Sequence, residues 1–448
     1  MNRRLYLIVL AAALAAVGSV RAEDPLDALK QQLQLLQQQV QQLQQKVAEL
    51  EAAKTTPPPA AETAATTTAR WTPSQPITLA KAGPAYMNIS LDSLLDFGWS
   101  SKVNVRQQQI GDHDPAQRGF TLPNTEFVFE GAVDPYFKGV GDVVLKLDEH
   151  SETTIELEEA YIQTMSLPWN LQLRAGQWFT EFGRHNPMHP HQWDFVDQPL
   201  IVGRMFGPEG LRNPGARLSW LVPTPFYTEL FLTVLNGNGG TAFSFRNPED
   251  TLGRAPFERG LRGPQDLVYA PRLASSFDIG DTQTLLLGAS AAFGPNDTGA
   301  DTRTQIYGVD AYWKWRPVNA QRGFPFVSWQ TEAMLRRFEA GEDMAAGLPA
   351  ETLQDYGFYT QLLYGFRVGW VAGLRGEFVT GNAGANDIAD PLARGDRARF
   401  SPNLTWYPSE FSKLRLQYNF DHGQAFGNAH AVWLQLEFLL GAHAAHKF

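Results

Sequence analysis

The chain has 448 residues, carries a formal net charge of −10 and contains no cysteine. Its acidity excludes a nucleic-acid-binding function, and the missing cysteines exclude a fold stapled by disulfides. Aromatic residues form 12% of the chain beside 39 glycines and 29 prolines, a mixture that favours many short strands joined by turns.

Residues 1–22 have the pattern of a secretory signal peptide. Arg3 and Arg4 precede an apolar run over 5–16, and the small residue Ala22 offers a cleavage site. We therefore expect an exported protein whose mature form begins near Glu23. After this leader, no run approaches the roughly 18 apolar residues of a membrane-spanning helix.

Residues 23–53 predict a coiled coil, which we expect in the periplasm. Apolar residues recur there at alternating spacings of three and four, the heptad pattern of helices that associate through one seam. The seam consists of Leu26, Leu29, Leu33, Leu36, Val40, Leu43, Val47 and Leu50. The alternative is a lone glutamine-rich helix, which would leave the seam in water. Residues 54–84 are rich in proline, alanine and threonine, so we expect a linker.

Residues 85–448 consist of segments in which apolar and polar residues alternate, the period of β-strands. In KLRLQYNFDH, residues 413–422, the apolar residues are Leu414, Leu416, Tyr418 and Phe420. Such segments lie near 87–105, 122–134, 139–148, 154–165, 169–180, 210–222, 225–236, 266–279, 283–294, 303–316, 324–339, 353–367, 370–381, 396–407, 412–422 and 428–440. Their connections alternate between short and long. This plan predicts an all-β, antiparallel transmembrane barrel of about 16 strands surrounded by outer-membrane lipid. A soluble propeller or sandwich would not need an apolar face on nearly every strand.

Charged residues on the polar faces of these segments divide by sign. The early segments carry the acidic residues Glu126, Glu130, Asp142, Glu156 and Glu158. The late segments carry the basic residues Arg336, Arg367, Arg375, Arg397, Arg399, Lys413 and Arg415. In a closed barrel the two sets form opposite walls of the lumen, and the field between them would orient and sort polar solutes. The alternative is that these residues form cross-strand ion pairs that hold a polar interior together.

One long connection, near 181–209, stands out because it contains FGRHNPMHPHQWDFVDQPL. Its charged and ligand-type residues include Arg184, His185, His189, His191, Asp194, Asp197 and Arg204, and Glu181 and Glu209 stand at its ends. Imidazoles of the three histidines, with Asp194 or Asp197, are donors that zinc, nickel or copper ions prefer. The alternative is that the prolines and histidines stiffen the loop and bind it to the wall. We expect no resident cofactor, and any zinc contact would be transient, because a channel must release what it binds.

The stretch LQLRAGQWFTEFGRHN resembles the strand-and-loop signature of proteins related to the phosphate-selective porins. Its continuation, NPMHPHQWDFVDQPL followed by FGPEGL, is similar to outer-membrane proteins labelled zinc-regulated outer-membrane receptors. The resemblance covers residues 85–448 and implies a bacterial porin whose third external loop folds into the lumen as a constriction. The description "TonB-dependent" often accompanies that label, but sixteen strands cannot be stretched to the 22 of such transporters.

These features predict an outer-membrane porin for passive diffusion of small polar solutes or ions. By the same resemblance it would be a homo-trimer, with the coiled coil clamping the subunits or reaching toward the cell wall. The alternative is a structural tether of the envelope, for which the barrel serves as the anchor. An enzyme is not expected, because no serine in a GxSxG-like context accompanies the histidines.

Overall fold

The computed structural model describes residues 75–148, 152–257 and 260–441. The expected signal peptide (1–22), the coiled coil (23–53) and residues 54–74 of the expected linker lie outside these ranges. Within them, no helix is both long enough and apolar enough to cross a membrane.

Seventeen strands make up most of the described part of the chain. They are β1 (Ile77–Ala82), β2 (Ala85–Ser100), β3 (Gly119–Ala132), β4 (Phe137–Leu147), β5 (Thr153–Thr164), β6 (Leu171–Phe179), β7 (Arg212–Leu221), β8 (Tyr227–Leu235), β9 (Val268–Ile279), β10 (Gln283–Pro295), β11 (Arg303–Trp315), β12 (Phe326–Ala340), β13 (Glu351–Arg367), β14 (Trp370–Gly381), β15 (Arg397–Ser409), β16 (Ser412–Gly423) and β17 (Gly427–Leu440). Two short α-helices accompany them among the described residues, α1 (Leu200–Phe206) and α2 (Pro391–Arg394).

The strands β2 to β17 form a closed barrel. Each pairs antiparallel with its neighbour in sequence, and β17 pairs with β2 over Leu91–Ser100. This confirms the sixteen-stranded barrel predicted from the alternating segments. The short strand β1 pairs with the first residues of β2, from Ala85 to Ile89. It lies within the range 54–84, where the sequence indicated a linker.

Side chains of the barrel strands alternate between an apolar outer face and a polar inner face. In β15, Phe400 is 48% exposed and Arg399 only 2%. In β16, Leu416 is 51% exposed and Arg415 only 1%. A continuous apolar outer surface is unfavourable in water, so the barrel is built to be surrounded by hydrocarbon.

The barrel closes where Gly98 of β2 lies opposite Trp433 of β17. The indole ring of Trp433 is fully buried, and it passes so close to Gly98 that a Cβ on that residue would lie 2.3 Å from a ring carbon. Only glycine leaves room for the ring here, because any other side chain would displace it.

Connections at one end of the barrel are mostly short turns, and those at the other end include the longest loops among the described residues. The longest loops are 101–118, 180–211, 236–267 and 382–396. The alternation of short and long connections is therefore confirmed with three exceptions, since 148–152 and 424–426 are short at the long-loop end and 316–325 is long at the other.

The loop over 180–211, which we call the lumen loop, enters the barrel between β6 and β7. It carries α1, all seven residues of which are buried. Together with Phe182, the helix packs against inward-facing apolar residues of the wall, including Ile306, Met334 and Val379. An apolar core therefore occupies part of the barrel interior and holds the loop inside it.

Candidate functional site in the barrel lumen

The lumen loop meets the basic side of the barrel through Asp197. This fully buried carboxylate accepts hydrogen bonds from Arg375 and, at 3.0 Å, from Arg399. Gln417 of the wall and Gln109 of loop 101–118 each donate to it at 3.0 Å. Burial alone would raise the pKa of Asp197, but Arg399 and Arg375 hold it below the usual range. Asp197 therefore stays ionised as the counter-ion of the basic side.

Helix α1 is attached to the wall through Arg204. Its Nη1 atom lies 3.0 Å from Oδ1 of Asp355, a fully buried residue of β13. Arg336 and Arg394 also donate to Asp355, at 2.6 Å and 3.2 Å. The carboxylate of Asp355 thus joins α1, the barrel wall and α2. This arrangement is rigid, because separating a buried charge from its partners costs free energy.

On the opposite side, His189 of the lumen loop reaches an acidic part of the wall. Its Nδ1 atom lies 3.4 Å from Glu126 Oε1, 3.3 Å from Asp142 Oδ2 and 3.2 Å from Glu158 Oε2. Its Nε2 atom lies 3.5 Å from Glu159 Oε2. Burial by itself lowers the pKa of an imidazole, but these carboxylates, chiefly Glu126, hold the pKa of His189 above its ordinary value. The lumen loop thus places the imidazole of His189 against the acidic wall and the carboxylate of Asp197 against the basic wall.

A β-bulge in β5 brings two consecutive carboxylates to the same histidine. Glu158 is the extra residue between two regular pairs of β4 and β5. Consecutive side chains of a strand normally point to opposite faces, but a bulge re-aims one of them. Glu158 and Glu159 therefore both reach the ring of His189. Strict alternation places Glu159 outside the lumen, which is why it was not among the residues predicted from the sequence.

Two further histidines contact these carboxylates. His191 Nδ1 lies 3.1 Å from Glu126 Oε2, and His113 Nε2 lies 2.9 Å from Glu158 Oε1. Burial opposes protonation of both rings, but Glu126 raises the pKa of His191 and Glu158 raises that of His113. His113 lies in loop 101–118 and was not predicted. Its only signal in the sequence is the short motif GDHDP.

The third histidine of the lumen loop, His185, lies apart from His189 and His191. Its ring packs 5.1 Å from that of Trp193 and 6.2 Å from that of Tyr359, and its backbone N–H donates to Glu332 at 2.7 Å. Burial, with help from Arg375, lowers the pKa of His185 to about 3. The expectation that His185 joins His189 and His191 is therefore wrong, because a turn at 185–188 separates them.

The two aspartates considered with those histidines also face other partners. Asp194 accepts a hydrogen bond from Gln361 at 2.8 Å, and Asp197 belongs to the basic side. Arg184 donates to Gln330 at 2.9 Å and lies 4.0 Å above the ring of Tyr312. The predicted loop residues therefore contact different parts of the wall and do not form one site.

Most residues predicted to line the lumen are buried on its inner face. These are Glu126, Asp142, Glu158, Arg336, Arg375, Arg397, Arg399, Lys413 and Arg415. Glu130 and Glu156 are half-buried and lie near Lys138 and Lys146. Arg367 was also predicted to line the lumen, but this is wrong. A register shift after Gly365 leaves it exposed at the end of β13.

The acidic and basic walls do not face each other across open water, because the lumen loop stands between them. Many wall charges are also paired with a neighbour, as Arg399 is with Asp421 at 2.8 Å. Arg415 differs, since it donates to the neutral Thr405 and Gln435 and forms no ion pair with a described residue. Arg399 therefore supports the alternative of cross-strand ion pairs, and Arg415 supports the alternative of a net field in the lumen.

A cavity of about 360 Å³ opens among the long loops. It is lined by residues of loops 101–118, 180–211, 236–267 and 382–396, and its charged lining residues are Arg106, Asp112, Arg204 and Arg397. Leu200 and Gly203 of α1 also line it, so the lumen loop contributes to the wall of this cavity.

The closed sixteen-stranded barrel and its inserted loop define a porin-like barrel protein. The chain belongs to the same family as an uncharacterized protein of Aquifex aeolicus (strain VF5), to which it is 31% identical over 352 residues, 74% of this chain and 71% of that protein. No protein-family model matches the sequence.

Solved structures of similar fold include the outer membrane channel DcaP of Acinetobacter baumannii. That match has a TM-score of 0.54 at 12% sequence identity and covers 80% of this chain and 99% of DcaP. OprB of Pseudomonas putida matches with a TM-score of 0.49 at 12% identity, over 79% of this chain and 94% of that one. At these identities the likeness concerns the fold.

Proposed function

We propose that this protein is a bacterial outer-membrane channel for passive diffusion of small polar solutes or ions, with the lumen loop as its constriction. The observation that carries the proposal is the placement of a loop with buried charged residues inside a barrel whose inner face is polar and whose outer face is apolar. Hydrocarbon suits the outer face, and water with dissolved solutes suits the inner one. The cavity among the long loops supplies an entrance.

The charges of the lumen favour weak selectivity. A pore specific for phosphate would concentrate lysine and arginine at its narrowest point, whereas the lumen loop carries both signs. Arg184 and Arg204 are accompanied there by Asp194 and Asp197. We therefore expect both cations and anions to pass, and His189 is the loop residue best placed to contact a divalent metal ion.

The assembly we propose is a homo-trimer in the outer membrane. The signal peptide (1–22) would direct export, and the periplasmic coiled coil (23–53) would clamp the subunits or reach toward the cell wall. Support comes from the unbroken heptad seam and from the porin-like fold. Replacing Leu33 and Val40 by aspartate should reduce the oligomer to monomers, measured as mass by light scattering in detergent.

Electrical recording tests the channel. The mature chain in a planar lipid bilayer should produce stepwise currents in potassium chloride. Folded protein that leaves the bilayer silent would contradict the channel. That result would favour the second function, a structural tether of the envelope, which the coil and the Pro/Ala/Thr-rich linker support.

A further inference from the structure

We propose that Glu126, Asp142, Glu158 and His189 form a binding site for a divalent cation of the zinc class, which fastens the lumen loop to the acidic wall. This site would hold the lumen loop in place, which is a structural role separate from the proposed channel function. The ion can therefore bind whether or not the barrel conducts. The four residues come from β3, β4, β5 and the lumen loop.

The spacing of the donor atoms fits such an ion. Around His189 Nδ1, the three carboxylate oxygens lie at 3.2, 3.3 and 3.4 Å. In a tetrahedral zinc site with bonds of about 2.0–2.1 Å, neighbouring donor atoms are about 3.3 Å apart. Each oxygen therefore lies at the distance from Nδ1 that a shared ion would set, and all four ligand atoms lie within 4.8 Å of one another.

A protonated histidine explains the arrangement less well. Nδ1 carries at most one hydrogen, which points in one direction, yet three oxygens from three strands surround it. Glu126 Oε1, Glu158 Oε2 and His189 Nδ1 are buried, and they contact one another at ion-pair distances without the geometry of a hydrogen bond. All four residues are less than a tenth exposed. Buried charges without hydrogen bonds are costly unless they bind an ion.

The remaining polar atoms of the same side chains have supporting partners. Glu126 Oε2 lies 3.1 Å from His191, and Glu158 Oε1 lies 2.9 Å from His113. The second nitrogen of His189 lies 3.5 Å from Glu159. In metal sites, the atom of a ligand that does not bind the metal is usually held by such a partner. Glu126, Glu158 and His189 thus each have one supported atom and one atom aimed at the proposed ion.

The donor set favours zinc over calcium or magnesium. Imidazole is a common zinc ligand, whereas calcium and magnesium take oxygen ligands, and four protein donors complete the tetrahedral shell of a structural zinc site. Calcium takes six to eight oxygen ligands, and magnesium keeps an octahedral shell with several waters, so both need more oxygens or more room than these four buried residues offer.

The binding experiment uses the full mature chain, purified in detergent and stripped with EDTA. Zinc chloride is titrated by calorimetry, and bound zinc is counted by mass spectrometry after dialysis. We expect one zinc per chain, not displaced by millimolar calcium or magnesium. A folded wild-type chain that takes up no zinc, or that takes up calcium equally well, overturns the proposal.

Variants locate the ion. Changing a supporting residue typically weakens a metal site about 10- to 100-fold, so His189→Ala and Glu158→Gln should each weaken zinc binding by roughly 100-fold or more. The matched controls are His185→Ala, a histidine of the same loop, and Glu130→Gln, a carboxylate of the same strand as Glu126. Both controls should still bind one zinc. Equal loss in the controls overturns the assignment.

Folding is checked by circular dichroism for each variant. Glu158→Gln preserves size, so it gives the answer if His189→Ala does not fold. As an independent readout, zinc should raise the melting temperature of the wild type and of His185→Ala, and leave that of Glu158→Gln unchanged.

Discussion

Asp197 and Arg399 are separated by 202 residues in the sequence, yet their side chains meet at 3.0 Å inside the barrel. The pair joins the lumen loop to β15, and both side chains are buried. Removal of Asp197 would leave Arg399 with Asp421 alone and Arg375 with Glu377 alone, so two buried cations would each lose one of their counter-ions.

Asp197→Ala should therefore loosen the part of the loop that contacts the basic wall, while Arg204 and the apolar core still hold α1. We expect the free energy of unfolding to fall by about 3 to 5 kcal/mol, the usual cost of breaking a buried ion pair from one side. Single-channel conductance should rise, because the loop no longer narrows the lumen. The control is Asp301→Asn, an exposed acid in the loop between β10 and β11, which should change neither quantity. Unchanged stability and current in Asp197→Ala would contradict the role of the pair.

Arg415 should influence ion selectivity more than an exposed arginine does. Because no carboxylate of the described residues pairs with it, its charge adds to the field in the lumen. Arg415→Glu should shift the reversal potential in a potassium chloride gradient toward cations. Arg367→Glu, at the exposed end of β13, should shift it less because water and salt screen that position. Equal shifts of the reversal potential in the two variants would show that the position of Arg415 in the lumen does not affect ion selectivity.

His185 should make stability dependent on pH. Burial, with help from Arg375, lowers its pKa to about 3, whereas an unfolded histidine titrates near pH 6.5. Between these values the unfolded state binds more protons, so the contribution of neutral His185 is present above pH 6.5 and is lost as the pH falls toward 3. Melting of the wild type and His185→Gln at pH 4.5 and 7.5 measures this. The wild type should lose more stability on acidification, and equal losses would disprove the assignment.

Contact between the outer face of the barrel and lipid can be tested by placing a charged side chain on that face. Leu404 points outward near the middle of β15, so Leu404→Arg should destabilise the barrel in lipid by about 2 to 4 kcal/mol if that residue lies at the bilayer midplane. Leu392→Arg, in the loop after β14, is the control and should have little effect. Refolding into lipid vesicles across a denaturant series gives both values, and similar values would argue against a lipid contact at Leu404.

The strands could be predicted because their signal is local. A two-residue alternation is present in each segment by itself, as in the pair Phe400 and Arg399, and the barrel follows from repeating it. The short strand β1 was not predicted, because ITLAKA adjoins a Pro/Ala/Thr-rich stretch and is too short for a clear pattern.

The arrangement of the lumen could be predicted only in part, because it depends on contacts between distant residues. Alternation placed Glu158 inside, but the bulge that turns Glu159 to the same side has no local signature. The cluster of histidines drew attention to the loop that the structure places inside the barrel. Which histidine meets the acidic wall, and that His113 joins it from another loop, follows only from the packed structure.

The tight fit of Trp433 against Gly98 has a consequence for biogenesis. These residues belong to the last and the first strand of the cylinder, so the contact can form only after every intervening strand has been synthesised. Until then two unpaired edges remain, and exposed edges are intolerable in hydrocarbon and prone to aggregation in water. Insertion should therefore be coupled to circularisation, and a partly exported chain would need protection by a chaperone on its way to the membrane.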